Sequence, residues 1–167
     1  RQFLIHSNAI TGVQTADFSI GSGAVTITPT SALPTITDPV VLDATTQEGF
    51  AGVPLVELNG TSAGSGTTGL SLNSGASGST IRGFVINCFG LHLIRLAGCD
   101  TSVIAGNYLG TDASGRLDQG AGDSGVMVSG GASGNRIGGT TAADGNVISG
   151  NNYAGVTITG SGTDSNL

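Results

Sequence analysis

Acidic side chains are the groups in this sequence most able to do chemistry, since its eleven carboxylates are accompanied by five arginines, two histidines and no lysine. Asp43 and Glu57 each belong to a short apolar run that is typical of a β-strand. Glycoside hydrolysis requires two carboxyl groups at a defined separation. Asp43 and Glu57 are therefore a candidate catalytic pair, and solvated acids at strand edges explain the same pattern.

A polar segment at 111–123 carries the second set of candidates. Asp112, Asp118 and Asp123 lie in it among glycines, together with Ser114. Carboxylate and carbonyl oxygens are the ligands that Ca²⁺ prefers, so the three aspartates form a candidate calcium site. The spacing is not that of an EF-hand loop, and a surface loop held by Asx turns predicts the same composition. No cofactor other than calcium is suggested.

The remaining reactive side chains are isolated in the sequence. His6 and His92 have no neighbouring Ser, Cys or Asp that would nominate a catalytic triad. Cys88 and Cys99 belong to no Cys-x-x-Cys motif, which argues against a zinc site. They are either two partly buried free thiols or a disulfide.

The elements that must position these residues form an internal repeat. Short runs of Val, Ile and Leu alternate with turns of Gly, Ser, Thr and Asn, which indicates many short strands. Three strand types recur in a fixed order, and the first of them ends in glycine. They occupy Ser79–Gly83, Ser102–Gly106 and Asn135–Gly139; Phe84–Asn87, Asn107–Gly110 and Asn146–Ser149; Leu70–Leu72, Ile94–Leu96, Val126–Val128 and Val156–Ile158.

The period of this repeat is nearly constant. The third strand type recurs at spacings of 24, 32 and 30 residues, and two insertions account for the excess: nine residues after Leu109 and six residues at 140–145. A period of about 23 residues with three short strands is the signature of a β-solenoid. The predicted fold is all-β, a right-handed single-stranded parallel β-helix.

Alternation along each strand predicts which side chains face the interior. Equivalent aliphatic residues should stack in four columns: Ile81, Ile104 and Ile137; Ile86, Leu109 and Ile148; Leu72, Leu96, Val128 and Ile158; Leu70, Ile94, Val126 and Val156. Gly83, Gly106 and Gly139 align at a corner, where a positive φ would favour glycine.

The N-terminal third repeats less regularly. Its expected strands are Val25–Thr28, Pro34–Ile36, Val40–Leu42 and Leu55–Leu58. Arg1–Ala9 is expected to form a short helix that caps the end of the stack, because an exposed strand edge invites pairing. The chain is therefore predicted to be one domain, 1–167. A cap and a first irregular strand lie at 1–24, irregular coils at 25–68 and regular coils at 69–167, the last coil being incomplete.

The outward positions of the regular strands carry no Asp or Glu. One outward stripe, formed by Val85, Tyr108 and Val147, is either a platform for a sugar or protein partner or a surface that a loop covers. Tyr108 and Arg95, which lies on a neighbouring stripe, are the candidate ligand-binding residues.

Charge and hydropathy exclude two classes of partner. The net charge is −6, whereas nucleic-acid affinity depends mainly on Lys and Arg contacts with phosphates. No apolar run approaches the roughly 18 residues of a membrane span. Neither nucleic acid nor a membrane span is expected.

Several stretches resemble a family of bacterial surface and secreted proteins built on right-handed β-helix repeats, which often follow a conserved Cys-Ser-Leu-Arg-Glu-Ala segment. Arg1–Ala9 is similar to the end of the family's capping helix, although that segment itself is absent. The resemblance covers most of the chain through Thr26–Thr37, Val41–Asp43, Thr45–Gln47, Glu57–Gly60, Ser79–Gly83, Ala105–Asp112, Ile137–Thr141 and Asn146–Asn151.

This resemblance implies export and an extracellular or cell-surface setting, and it implies no agreed catalytic set. The expected function is a non-catalytic structural or adhesive module with a polysaccharide or surface protein as partner. Homotypic stacking at the open C-terminal coil into a filament is a variant of this expectation. The alternative is a carbohydrate-active enzyme, a polysaccharide lyase or glycoside hydrolase.

Overall fold

The computed structural model describes residues 1–167 and consists mostly of short strands with little helix. Helix α1 spans Gln2–Ser7, and three 3-10 turns span Ala44–Thr46, Ser74–Ala76 and Ala142–Asp144. None of the helices is both long and apolar enough to cross a membrane. The strands are β1 Gln14–Asp17, β2 Val25–Ile27, β3 Val40–Asp43, β4 Val56–Asn59, β5 Leu70–Asn73, β6 Thr80–Arg82, β7 Phe84–Asn87, β8 Ile94–Ala97, β9 Val103–Ala105, β10 Tyr108–Leu109, β11 Val126–Ser129, β12 Arg136–Ile137, β13 Val147–Ile148 and β14 Val156–Ile158.

These strands form three parallel sheets, which the chain enters in rotation. The first sheet has the order β1-β3-β6-β9-β12, the second β2-β4-β7-β10-β13 and the third β5-β8-β11-β14. Ile36 forms an isolated parallel bridge with Leu72 beside the third sheet, where a full strand was expected at Pro34–Ile36. We call each passage through the three sheets a repeat and number the five repeats in chain order. The predicted all-β, parallel architecture is confirmed.

The register places equivalent aliphatic residues opposite one another. Ile104 pairs with Ile81 on one side and Ile137 on the other, and the other three predicted columns are paired in the same way. Leu42 extends the first column and Leu58 the second. Side chains from all three sheets belong to one cluster of 25 buried residues. Each buried aliphatic side chain contributes roughly 1.5–3 kcal/mol.

Asparagine side chains connect successive repeats at two corners, where strand pairing is interrupted. Between the third and first sheets, the Asn135 Oδ1 atom accepts from the Ser102 backbone N–H at 2.9 Å, and its Nδ2 donates to the Cys99 carbonyl at 2.7 Å. Asn107 acts likewise between the first and second sheets, accepting from Phe84 N and donating to Ile81 O. Backbone groups left buried at the corners are thereby paired, as folding requires.

The corner glycines follow the prediction at two positions of three. Gly83 and Gly106 have φ of 76° and 64°, whereas the positive φ of repeat 5 belongs to Gly138 and not to Gly139. The insertion at 140–145 changes this corner. Glycine is needed at 139 for a different reason, because a Cβ there would collide with Asp144.

Helix α1 lies at the N-terminal end of the stack, where a capping helix was expected. Leu4 is buried in the common core, and the Asn8 side chain accepts from Thr37 N and donates to Thr35 O. Ala16 occupies a column position that side chains larger than alanine, beginning with Leu42, fill in later repeats. An apolar cavity of about 420 Å³ remains under the helix.

Candidate functional site

Asp43 and Glu57, the candidate catalytic pair, lie in different sheets. Asp43 ends β3 in the first sheet, and Glu57 lies in β4 of the second. The Asp43 Oδ1 atom accepts from Thr45 N at 3.0 Å, which caps the following 3-10 turn, and lies 3.6 Å from Arg82 Nε. Local structure therefore already engages the Asp43 carboxylate.

Glu57 is held by three hydrogen bonds. Its Oε1 accepts from Asn87 Nδ2 at 2.8 Å and Asn59 Nδ2 at 3.3 Å, and its Oε2 accepts from Thr26 Oγ1 at 2.7 Å. Partial burial alone would raise the pKa of Glu57, but these bonds, the Asn87 bond foremost, outweigh burial and lower its pKa below the usual value. An ionised carboxylate of this kind cannot serve as the general acid that glycoside hydrolysis needs.

The loop at 111–123 uses two of its three aspartates in turns. The Asp112 Oδ1 atom accepts from the backbone N–H groups of Arg116 and Leu117, both at 3.1 Å, and Asp118 Oδ1 accepts from Gly120 N at 3.0 Å. No group of three or more His, Cys, Asp or Glu side chains is placed to hold a metal ion. Asp112 and Asp118 are therefore engaged in turns of the loop, whereas the Asp123 carboxylate contacts Ser124 and His92.

The structure does not bring Tyr108 and Arg95 together. Tyr108 lies in β10 of the second sheet and Arg95 in β8 of the third. Val85, which pairs with Tyr108, is fully buried, and Tyr108 itself is half-buried. A Cβ on Gly115 would lie 3.1 Å from the Tyr108 ring, so the 111–123 loop lies against one side of this tyrosine.

One pairing of reactive groups escaped sequence reasoning. His92 Nδ1 lies 3.6 Å from Asp123 Oδ1, which also accepts from Ser124 Oγ at 2.7 Å. His92 is only 6% exposed, and burial lowers its pKa although Asp123 partly opposes the effect. The carboxylate lies between the imidazole and the hydroxyl, which is not the order of a Ser-His-Asp triad.

The two cysteines are separate free thiols, Cys88 half-buried and Cys99 buried. Burial is the main cause that raises the pKa of Cys99, whose Sγ lies 3.1 Å from Ser102 Oγ. A thiol with a raised pKa is a poor nucleophile at neutral pH. Cys99 is therefore not a candidate catalytic nucleophile.

A recess that we call the corner cleft lies beside the turn between the first and second sheets. Its volume is about 200 Å³, and its lining combines aromatic rings, small residues and one guanidinium. Arg82 is 41% exposed in its side chain. The lining residues are Thr45, Phe50, Gly52, Arg82, Gly106, Tyr108, Ala142, Ala143, Gly145 and Val147.

The charges around the corner cleft balance. Arg82 lies beside Asp43, and Asp144 lies in the loop that contributes Ala142 and Ala143. The Thr141 hydroxyl, which donates to Asp144 at 2.7 Å, is the main cause that lowers the pKa of Asp144, and Arg82 and Arg136 add smaller contributions. Two arginines and two aspartates therefore lie close to this recess.

Comparisons with protein-family models, with curated proteins and with solved structures give no match to this chain.

Proposed function

We propose that the chain is a right-handed single-stranded parallel β-helix that serves as a non-catalytic structural and adhesive module of a bacterial extracellular or cell-surface protein. The rotation of the chain through three parallel sheets supports the β-helix, since each sheet receives one strand from nearly every repeat. A single hydrophobic cluster shared by the three sheets agrees with it.

The non-catalytic assignment is carried by the separation of the Asp43 and Glu57 carboxylates and by the partners that each of them already has. They occupy separate sheets, and each has structural partners that hold its carboxylate. A retaining or inverting glycosidase instead places two carboxyl groups across one scissile bond and keeps one of them protonated.

Composition and sequence resemblance support the extracellular setting. The chain is acidic and poor in charge, with 10% charged residues, and its repeats resemble those of exported β-helix proteins. Long lateral faces of parallel strands offer a rigid surface for a glycan or a surface protein. Binding sites in repeat proteins commonly lie on such continuous faces.

A turnover assay tests the non-catalytic assignment. Pectin, alginate and xylan would be incubated with the protein, with and without Ca²⁺, and reducing ends or unsaturated products measured. We expect no turnover by the wild type. Turnover that is lost in Glu57→Gln or Asp43→Asn but kept in Glu48→Gln, a change to an exposed loop residue, would make the protein an enzyme.

A further inference from the structure

The corner cleft arises where the repeats depart from regularity. In repeats 2 and 5 the connection between the first and second sheets is long, at 44–55 and 138–146. In repeats 3 and 4, which lie between them, it is a short corner containing Gly83 or Gly106. The loop at 44–55 therefore lies against the Gly83 corner and the loop at 138–146 against the Gly106 corner, and both line the recess between them. Insertions in repeat proteins often form the binding face.

The absence of a side chain at each corner glycine allows a loop to pack closely against it. A Cβ on Gly83 would lie 2.7 Å from Thr45 Cγ2, and one on Gly106 would lie 2.8 Å from the Ala143 carbonyl oxygen. The Gly106 N–H also donates to the Asp144 carbonyl at 3.0 Å. The two loops are thus packed against the corners, and the recess between them has fixed walls.

The lining suits one face of a sugar ring. Tyr108 and Phe50 supply aromatic surface, and Val147 adds an aliphatic side chain. A pyranose presents C–H groups on its faces and hydroxyl groups at its edge, so it packs on aromatic rings while its edge requires hydrogen bonds. The volume of about 200 Å³ is enough for one sugar residue and too small for a longer segment of polysaccharide.

Arg82 provides hydrogen-bond donors at this recess. Its guanidinium makes no hydrogen bond to the rest of the protein, and its nearest charged partner is Asp43 Oδ1 at 3.6 Å from Nε. An arginine carries five N–H donors in a fixed geometry, which matches neighbouring hydroxyl groups as well as carboxylates. The donors of Arg82 are therefore available to a ligand.

The balance of charge selects the class of sugar. Asp43 and Asp144 offset Arg82 and Arg136, so the recess has no excess positive charge to attract a uronate, sulfate or phosphate. We propose that the corner cleft binds one neutral sugar residue of a glycan, stacked on Tyr108 and Phe50 and hydrogen-bonded by Arg82. This inference rests on the proposed function and names the ligand class of the adhesive module.

Tyrosine fluorescence can report binding directly, because the chain has no Trp and only two Tyr residues. In the Tyr153→Phe protein, Tyr108 is the sole strong fluorophore. We expect saturable changes in its emission on titration with neutral cello-, xylo-, manno- or galacto-oligosaccharides, and none with oligogalacturonate. Saturation by oligogalacturonate alone would overturn the assignment to neutral sugars.

Variants locate the site by isothermal titration calorimetry. Tyr108→Ala, Phe50→Ala and Arg82→Gln should each weaken the affinity roughly tenfold or more, as expected for a central contact in a small site. Tyr153→Ala and Arg116→Gln, which change exposed residues, should leave affinity unchanged. Circular dichroism identifies any variant that does not fold, and Phe50→Ala, in a surface loop, keeps the test available if Tyr108→Ala is unstable.

Each outcome decides between the two proposals. Neutral-glycan binding that survives both Phe50→Ala and Arg82→Gln would overturn the cleft as its site and leave the adhesive function standing. If no neutral oligosaccharide binds, the proposal that the corner cleft binds a neutral sugar is overturned. The turnover assay would still test the non-catalytic function independently. Cleavage of a bound glycan would instead overturn the proposed function.

Discussion

Aliphatic residues occupy inward columns in both the middle repeats and the last repeat, yet the burial of these residues differs. Ile104 in repeat 4 and Ile158 in repeat 5 both occupy inward columns of their sheets. Ile104 is fully buried, whereas Ile158 is 48% exposed. A strand of the middle repeats has a paired neighbour on both sides, and β14 has β11 on one side alone. Burial of a side chain here depends on its neighbouring repeats as much as on its own strand.

The first repeat differs from the middle in another way. Helix α1 lies over its end, but Ala16 is too small to fill the column that Leu42 and Ile81 continue. The cavity beneath the helix is the result, and Phe18 packs edge-on against Phe84 beside it, with ring centroids 5.1 Å apart. The stability of a repeat array is approximately a sum over repeats and their interfaces, so matched substitutions should have unequal effects in the middle and at the ends.

The largest difference is expected from a charge placed in the core. Ile104→Asp would bury a carboxylate with no partner, which costs several kcal/mol against a typical total stability of about 5–15 kcal/mol. We expect this variant to lose its cooperative unfolding transition in urea, followed by far-UV circular dichroism. Ile158→Asp, at a half-exposed position, should change the free energy of unfolding by less than about 1 kcal/mol. Equal losses in the two variants would contradict the interpretation that neighbouring repeats provide the burial.

The asparagine corners should show the same contrast on a smaller scale. Asn135→Ala would leave the buried Ser102 N–H and Cys99 carbonyl without partners, and we expect a loss of about 2–4 kcal/mol. Asn166 makes the matching bonds in the last repeat, where its Oδ1 accepts from Asn135 N and its Nδ2 donates to Ala132 O, both at 3.0 Å. Asn166 is less buried than Asn135, so Asn166→Ala should cost about 1 kcal/mol.

Urea unfolding of the two asparagine variants measures this difference through their midpoints and slopes. Equal slopes would show that the loss lies in stability and not in the extent of folded structure. A larger loss for Asn166→Ala than for Asn135→Ala would reverse the expected order.

The smallest expected effect is a pH dependence that separates a middle repeat from the capping helix. Burial lowers the pKa of His92, so the unfolded chain binds a proton more readily than the folded protein. Above the usual histidine pKa the imidazole is neutral in both states, and the folded protein has its full stability. As the pH falls from that value towards the lower pKa of His92 in the folded protein, protonation of the unfolded chain reduces the free energy of unfolding. Between about pH 7 and about pH 5, His92→Gln should therefore lose less stability than the wild type.

His6→Gln is the matched control, because His6 lies exposed in α1. Thermal unfolding at several pH values compares the three proteins. The role of the buried imidazole would be contradicted if the pH dependence of the wild-type unfolding temperature were reduced by His6→Gln and not by His92→Gln.

Much of the fold could be predicted because the repeat constrains it at many positions. The second strand of repeat 3 was expected at Phe84–Asn87 and lies there, and the columns through Ile81, Ile86 and Leu96 have the expected register. The prediction of a positive φ at Gly139, the corner glycine of repeat 5, was wrong. The insertion at 140–145 changes the backbone there, although the residue aligns with Gly83 and Gly106. Pro34–Ile36 also gave an isolated bridge in place of a strand.

The candidate site could be predicted only in part. The outward position of Tyr108 predicts a ligand-binding role, and Tyr108 does line the corner cleft. The sequence does not point to Phe50 or Arg82 as ligand-binding residues, because Phe50 belongs to no motif, Arg82 belongs to a strand type of the repeat that predicts no ligand contact, and the two reach the cleft from different repeats. The approach of Asp123 to His92 has the same origin, since one repeat and its insertion separate the two residues in the chain.

The sequence by itself determined the period, the strand types and the aliphatic columns, because alternation and stacking require the same residue types at equivalent positions. Only the tertiary structure decided which carboxylates are already engaged, which loops line a common recess and which inward residues remain exposed. Those properties depend on contacts between repeats, and insertions of different length alter such contacts without leaving a motif in the chain.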